Sequence, residues 1–239
     1  MSPPQNASVG LTVYVQEELA ARANPEKAEG MQAYMKTDMP FYGVQKPGRV
    51  EIMRQLKKNF APSDRDEYEG LVVALWELDH REEKYLAQGF ATTFERFIVP
   101  ESLPLYRRFI VEGAWWDFVD EAAIHMIRPL VLDYPHEVWP VVDGWIDDDD
   151  MWLRRTAIIC QVGAKERTDA DRVFSYCTKR MHETEFFIRK AIGWALREYA
   201  KTDPNAVADF VAEHRVQLSG LSYREATKHI GRLIKESSN

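Results

Sequence analysis

Leu153-Arg154-Arg155-Thr156 returns 35 residues later as Ile188-Arg189-Lys190-Ala191, and after a further 35 as Tyr223-Arg224-Glu225-Ala226. Val119-Asp120-Glu121-Ala122 stands 34 residues before the first of them. A period in the thirties accommodates two helices and their turns. One such pair cannot bury its apolar face alone, so neighbouring pairs stack. The spacing predicts an all-α chain, an α-solenoid of helical repeats that curves to leave a concave face.

Outward from this repeat, nearly every periodic segment reads as helix. The expected helices lie near 9–22, 26–37, 47–59, 65–78, 82–97, 102–112, 115–132, 137–146, 151–163, 169–181, 185–201, 205–214 and 222–235. Strand signals are almost absent, with no Asn-Gly or Asp-Gly hairpin turn and no sustained alternation. Asn24-Pro25 and Asp203-Pro204 each set a capping side chain before a first-turn proline. Thr168-x-x-Asp171 and Ser222-x-x-Glu225 read as capping boxes. The four aspartates Asp147–Asp150 precede a helical run, where negative charge is favourable. Metal binding by them is the minor alternative, because four consecutive residues do not share one helix face. No domain linker is evident, so residues 1–239 read as a single repeat domain with 1–9 as a short extension.

The 239 residues are 45% hydrophobic and 29% charged, which excludes wholesale disorder. Two cysteines, Cys160 and Cys177, exclude a disulfide scaffold. No apolar run approaches the length of a membrane span, and Met1–Gly10 lacks a basic-then-apolar signal pattern. The expected setting is the cytoplasm, away from membrane. Net charge is −7, but it is unevenly spread: +2 over residues 1–60, −14 over 61–150 and +5 over 151–239. Binding of a polyanion is therefore possible through the two ends of the chain rather than its middle.

Helical arithmetic isolates a few side chains. In Glu185–Lys201, Ile188, Ile192, Ala195, Leu196 and Tyr199 form the apolar stripe, and Trp194 falls almost opposite it. Its neighbours there are Lys190 at i−4 and Arg197 at i+3. An aromatic between cations suits stacking on a sugar or base beside a phosphate; packing against the next repeat explains it equally. Trp116 and Asp120 are i,i+4 neighbours, and Asp120 lies at the edge of the stripe Val119, Ala123, Met126, Ile127, Leu130. A carboxylate is costly there unless it is hydrogen-bonded or used. Arg155 shares a side with Met151, Ile158, Ile159 and Val162, and needs a carboxylate or phosphate partner. The P-loop, the dinucleotide-binding glycine pattern, H-E-x-x-H and C-x-x-C are all missing, and the six histidines show no ligand spacing.

Four blocks together resemble the AlkD family of HEAT-like-repeat DNA glycosylases. They are Asn24-Pro25-Glu26-Lys27-Ala28-Glu29, Trp115-Trp116-Asp117-x-Val119-Asp120, Trp152-Leu153-x-Arg155-x-Ala157-Ile158, and the run from Lys190 to Lys201 containing Gly193-Trp194-x-Leu196-Arg197-Glu198-Tyr199. The likeness runs from about residue 10 to about 233. It implies an alkylpurine DNA glycosylase that removes N3- and N7-alkylated purines from duplex DNA without flipping the base, in base excision repair. It also implies that Trp116, Asp120 and Trp194 form the catalytic cleft, that Arg155 and Arg197 hold the DNA backbone, and that Tyr34 is a further cleft aromatic. Lys190, beside Trp194, joins the DNA-binding set. No metal or organic cofactor is required by that chemistry, and a monomer suffices. The rival expectations are a non-catalytic HEAT-like scaffold for DNA or protein, a paralogue that binds branched DNA, and a metal-dependent phosphohydrolase using Asp147–Asp150.

Overall fold

The computed structural model describes residues 3–231. Among these residues there are fourteen α-helices and no strand. The chain divides into two compact units, 1–105 and 106–239.

The first unit holds α1 (Pro3–Ala21), α2 (Pro25–Met35), α3 (Lys46–Asn59), α4 (Arg65–Trp76) and α5 (Arg81–Thr93). Helix α6 (Leu103–Gly113) contains the boundary. α1 begins six residues before its expected start, and Pro3 and Pro4 occupy its first turn, where a missing N–H costs nothing. α1 packs on α4, and α4 and α3 pack on α5. The core of the unit is Leu11, Val15, Leu19, Ile52, Leu56, Leu71 and Phe90, all essentially inaccessible. The connection from α2 to α3 is pinned by the buried Glu82. Its carboxylate accepts from the backbone N–H groups of Tyr42 (3.1 Å), Gly43 (2.8 Å) and Val44 (2.9 Å). Gly43 turns the chain there with φ +84°, and a Cβ at that position would meet the Asn24 carbonyl oxygen at 2.0 Å.

The second unit continues with α7 (Trp116–Ala122), α8 (Arg128–Asp133), α9 (Pro135–Trp145), α10 (Met151–Ile159), α11 (Ala170–Arg180), α12 (Phe186–Tyr199), α13 (Pro204–Glu213) and α14 (Gly220–Ala226). The repeated tetrapeptides fall on α7, α10, α12 and α14. These helices pack in that order, each on the next. Polar ties between layers span close to one repeat. Arg155 reaches back 35 residues to Asp120, Arg128 reaches forward 34 to the Val162 carbonyl, and Ser222 reaches back 33 to the Arg189 carbonyl. The all-α, HEAT-like repeat architecture expected from the sequence is what forms.

The boundaries differ in instructive ways. The helix expected over 115–132 is α7 and α8 joined by a π turn, Ala123–Ile127. Pro129 supplies no N–H and its ring crowds the carbonyl four residues back, so the helix widens just ahead of it. Both expected capping boxes shift. Asp169, not Thr168, caps α11 by accepting from the Arg172 N–H at 3.0 Å. Ser219 caps α14 by accepting from the Ser222 N–H at 3.0 Å, which leaves Ser222 and Glu225 inside the helix. Asn24 and Asp203 cap as expected. The last expected helix, 222–235, is interrupted by a 3-10 turn, Thr227–His229, and the backbone is helical again at Gly231; residues 232–235 lie outside the described residues. No described helix is long and apolar enough to cross a membrane.

Candidate active site

The chain enters α7 through a strained turn. Ala114 has φ +41°, a conformation that costs a non-glycine residue about 1 kcal/mol. That turn sets Trp115 in extended conformation ahead of the helix. Its ring lies 6.1 Å from that of Trp152 on α10 and 5.5 Å from that of Phe187 on α12, and the latter two are 4.9 Å apart. Three helices of successive repeats are thus joined by one aromatic trio. Such pairs add roughly 0.5–1.5 kcal/mol each beyond the area they bury. The indole N–H of Trp115 is buried without a hydrogen-bond partner. Packing, not hydrogen bonding, holds this ring.

Beside the trio, the same three helices form a polar knot. Arg155, only 3% exposed, donates from Nε to Asp120 Oδ1 and from Nη2 to Asp120 Oδ2, both at 2.8 Å. Its Nη1 donates to the Phe187 carbonyl at 2.6 Å, and the guanidinium carbon lies 5.8 Å from the Phe187 ring centre. Every nitrogen of the guanidinium is engaged within the protein, so its placement is that of a clamp on Asp120. The inter-repeat ion pair is the partner that Arg155 and Asp120 each required on sequence grounds. Asp120 keeps 17% of its side chain accessible. Burial pushes its carboxyl above the ordinary carboxylate range, and the hydrogen bonds and charge of Arg155 pull against that rise. A carboxylate so held is oriented, incompletely solvated and still open to a ligand on one side.

Trp116 sits one turn ahead of Asp120 and is half-buried, as is Trp194. Trp194 lies on α12 between Lys190 and Arg197, as its helical position requires. Both cations are paired. Lys190 Nζ meets Glu225 Oε1 at 2.9 Å, and Arg197 meets the other oxygen of that carboxylate. Tyr34 belongs to the first unit, near the end of α2, and is 75% exposed. The structure therefore joins Asp120 to Arg155 directly, and sets Lys190 and Arg197 on one carboxylate.

Sequence reasoning missed Glu225, Trp115 and Phe187 as parts of this region. Glu225 was absorbed into an apparent capping box. The aromatic trio had a legible signal, since Trp115, Trp152 and Phe187 follow one another at 37 and 35 residues, the period of the fold. Within the run Asp147–Asp150, the structural uses are a helix cap and a tie to α11. Asp150 caps α10 by accepting from the Trp152 N–H (2.7 Å) and the Leu153 N–H (3.2 Å), and Asp147 pairs with Lys179 and Arg180. Among the described residues no three His, Cys, Asp or Glu side chains are grouped to hold a metal ion. Burial pushes the Cys160 thiol up to about 12, so it packs as a small apolar group.

A family model described as DNA alkylation repair enzyme matches residues 15–230. A solved structure titled "Predicted DNA alkylation repair enzyme from Enterococcus faecalis" is similar with a TM-score of 0.79 and 31% identity, over 88% of this chain and 97% of that one. AlkD2 from Streptococcus mutans is similar with a TM-score of 0.62 and 16% identity, over 85% of this chain and 99% of that one. The latter likeness is one of fold. No curated protein matches.

Proposed function

Because the chain belongs to the DNA alkylation repair enzyme family, we propose that it is a DNA glycosylase. In this reading it hydrolyses the N-glycosidic bond of cationic N3- and N7-alkylated purines in duplex DNA. The observation that supports the reading is the Asp120 carboxylate, clamped through both oxygens by Arg155 and left partly open. A protein that only bound DNA would gain nothing from a carboxylate left partly open toward phosphates, which it repels.

The chemistry needs little else. An N3- or N7-alkylpurine already carries a positive charge, so the base departs with the electrons of the C1′–N bond and without prior protonation. The barrier lies in the oxocarbenium-like sugar left behind. A preorganised carboxylate stabilises that charge and orients the water that adds to C1′, which then loses its proton. Arg155 fixes the carboxylate by a bidentate grip and by tethering it to the Phe187 carbonyl. Trp116 and Trp194 would offer aromatic faces to the developing cation, worth about 0.5–2 kcal/mol each. Lys190 and Arg197 would meet the backbone phosphates, and Tyr34 a further part of the duplex. Most glycosylases extrude their base into a pocket. The family likeness instead supports catalysis at the sugar with the lesion still stacked, in which case bulky adducts are substrates as well as methyl ones.

The test is release of N7-methylguanine from methylated duplex DNA in the presence of EDTA. Release at a rate well above the spontaneous one establishes the glycosylase. Duplex binding without release of methyl or bulky adducts would instead favour the scaffold reading.

A further inference from the structure

We infer that Glu225 is a positioning residue, a buried carboxylate that gathers Lys190, Arg197 and Lys228 into one ordered seat for a DNA backbone phosphate. The inference rests on the duplex-binding part of the reading above and adds two residues to it, Glu225 and Lys228.

The geometry of the cluster carries the argument. Glu225 lies inside α14 with 8% of its side chain exposed. One carboxylate oxygen meets Lys190 Nζ at 2.9 Å and Lys228 Nζ at 2.8 Å, and the other meets Arg197. Three cations around one anion leave a local charge of +2, and none of the three is buried like the anion. The side chains of Lys190, Arg197 and Lys228 are 38%, 21% and 51% exposed. An ion pair made only for stability would have neutralised itself; here the anion is inside and the surplus positive charge faces outward.

The backbone is built to bring this carboxylate close. Gly193, immediately before Trp194, has no side chain, and a Cβ there would stand 2.4 Å from Glu225 Cβ and 3.0 Å from the Ser222 carbonyl oxygen. Ser222 further ties the helices by donating to the Arg189 carbonyl at 2.9 Å. α14 can therefore press directly on the stretch of α12 that bears Lys190, Trp194 and Arg197. Long basic side chains lose considerable rotamer entropy when they are fixed. Fixing three of them beforehand on Glu225 lowers what phosphate binding must later overcome. The carboxylate remains ionised for this task. Burial raises it, but the hydrogen bonds from Lys228 and Lys190 and the charges of Lys190 and Arg197 outweigh burial and bring it down to about 2.

The experiment measures affinity for undamaged duplex DNA across a salt series, with wild type, Glu225→Gln and Lys228→Ala. It needs no glycosylase activity. Each phosphate contact made by a cation adds about 0.9 to the slope of log affinity against log salt. The proposal expects weaker binding by Glu225→Gln, several-fold at near-physiological salt, with a slope shallower by about one to two contacts. Lys228→Ala, altered at a half-exposed position, should lose about one. Simple charge counting expects the opposite for Glu225→Gln, since a negative charge is removed. Partial unfolding lowers the binding-competent fraction but leaves the slope of the folded fraction intact. Tighter binding or an unchanged slope in Glu225→Gln overturns the proposal, as does an unchanged slope in Lys228→Ala or a wild type that does not bind duplex. If wild type binds with these slopes yet releases no base, the seat stands and the glycosylase reading falls.

Discussion

Arg155 on α10 grips Asp120 on α7 through two parallel 2.8 Å hydrogen bonds, across 35 residues of sequence and one repeat of the fold. The pair is both a structural tie between repeats and the support of the proposed reacting group. Its two roles separate under substitution. Asp120→Asn keeps an oxygen for Arg155 but loses the charge that would stabilise an oxocarbenium-like sugar. Removing one preorganised electrostatic group of this kind costs about 10²–10³ in rate. Single-turnover release of N7-methylguanine should fall by that order, while duplex affinity is retained or rises slightly as a repulsive charge disappears. Equal rates in variant and wild type would remove Asp120 from the chemistry.

Arg155→Gln should reshape the pH dependence of release. Asp120 must be ionised to act, so activity falls as pH drops through its pKa. Burial has already raised that pKa above the ordinary value, and Arg155 holds it from rising further. Without the guanidinium, only the raising influences of burial and the Asp117 charge remain. The acid limb of the profile should therefore move to higher pH, with the loss much larger at pH 5 than at pH 8. Opening this buried pair should also destabilise the second unit by about 3–5 kcal/mol, so rates are to be compared well below the melting temperature. Profiles that are parallel at every pH would show that Arg155 does not tune the carboxylate.

Much of this was legible in the sequence because helical geometry is local. The 3.6-residue period placed Trp194 opposite the apolar stripe of α12, and it set Asp120 and Arg155 at positions where each needed a partner. What the period does not contain is which partner. That depends on the stacking of helices 35 residues apart, which local pattern cannot register. Glu225 was hidden for a related reason. Ser222-x-x-Glu225 satisfies the spacing of a capping box, and Ser219, one turn earlier, satisfies the capping role; three-dimensional context chose between them. The π turn before Pro129 fell inside the single helix expected over 115–132; the proline was the signal for it, since a ring without an N–H disturbs the turn before it, and that reading passed over it.

Two glycine-to-alanine changes should act in opposite directions. Gly70 lies mid-way in α4, and a Cβ there meets nothing within 4 Å. Gly70→Ala should stabilise the first unit by roughly 0.5–1 kcal/mol through helix propensity. Gly193→Ala gains the same propensity but drives a methyl group to 2.4 Å from Glu225 Cβ. Overpacking costs about 1–3 kcal/mol and wins, and the displacement of α14 should also weaken duplex binding. Thermal melts of both variants check the signs. A Gly193→Ala protein as stable as wild type would mean that α12 and α14 are not held in close approach.

The same carboxylate should also set part of the acid stability of the second unit. Glu225 is held at about 2 when folded, against an ordinary value near 4.5. A depressed folded pKa contributes stability that is fully present above the unfolded value and is lost as pH falls through the folded one. Wild type should therefore lose stability between pH 5 and pH 2 more steeply than Glu225→Gln, whose side chain does not titrate. At neutral pH wild type is the more stable of the two, because the variant leaves Lys190, Arg197 and Lys228 without their counter-charge. The two stability curves should converge on the acid side, and denaturant melts at pH 7, 5, 4 and 3 would follow the convergence. Curves that stay parallel down to pH 3 would mean that the three cations do not depress Glu225 in the folded protein.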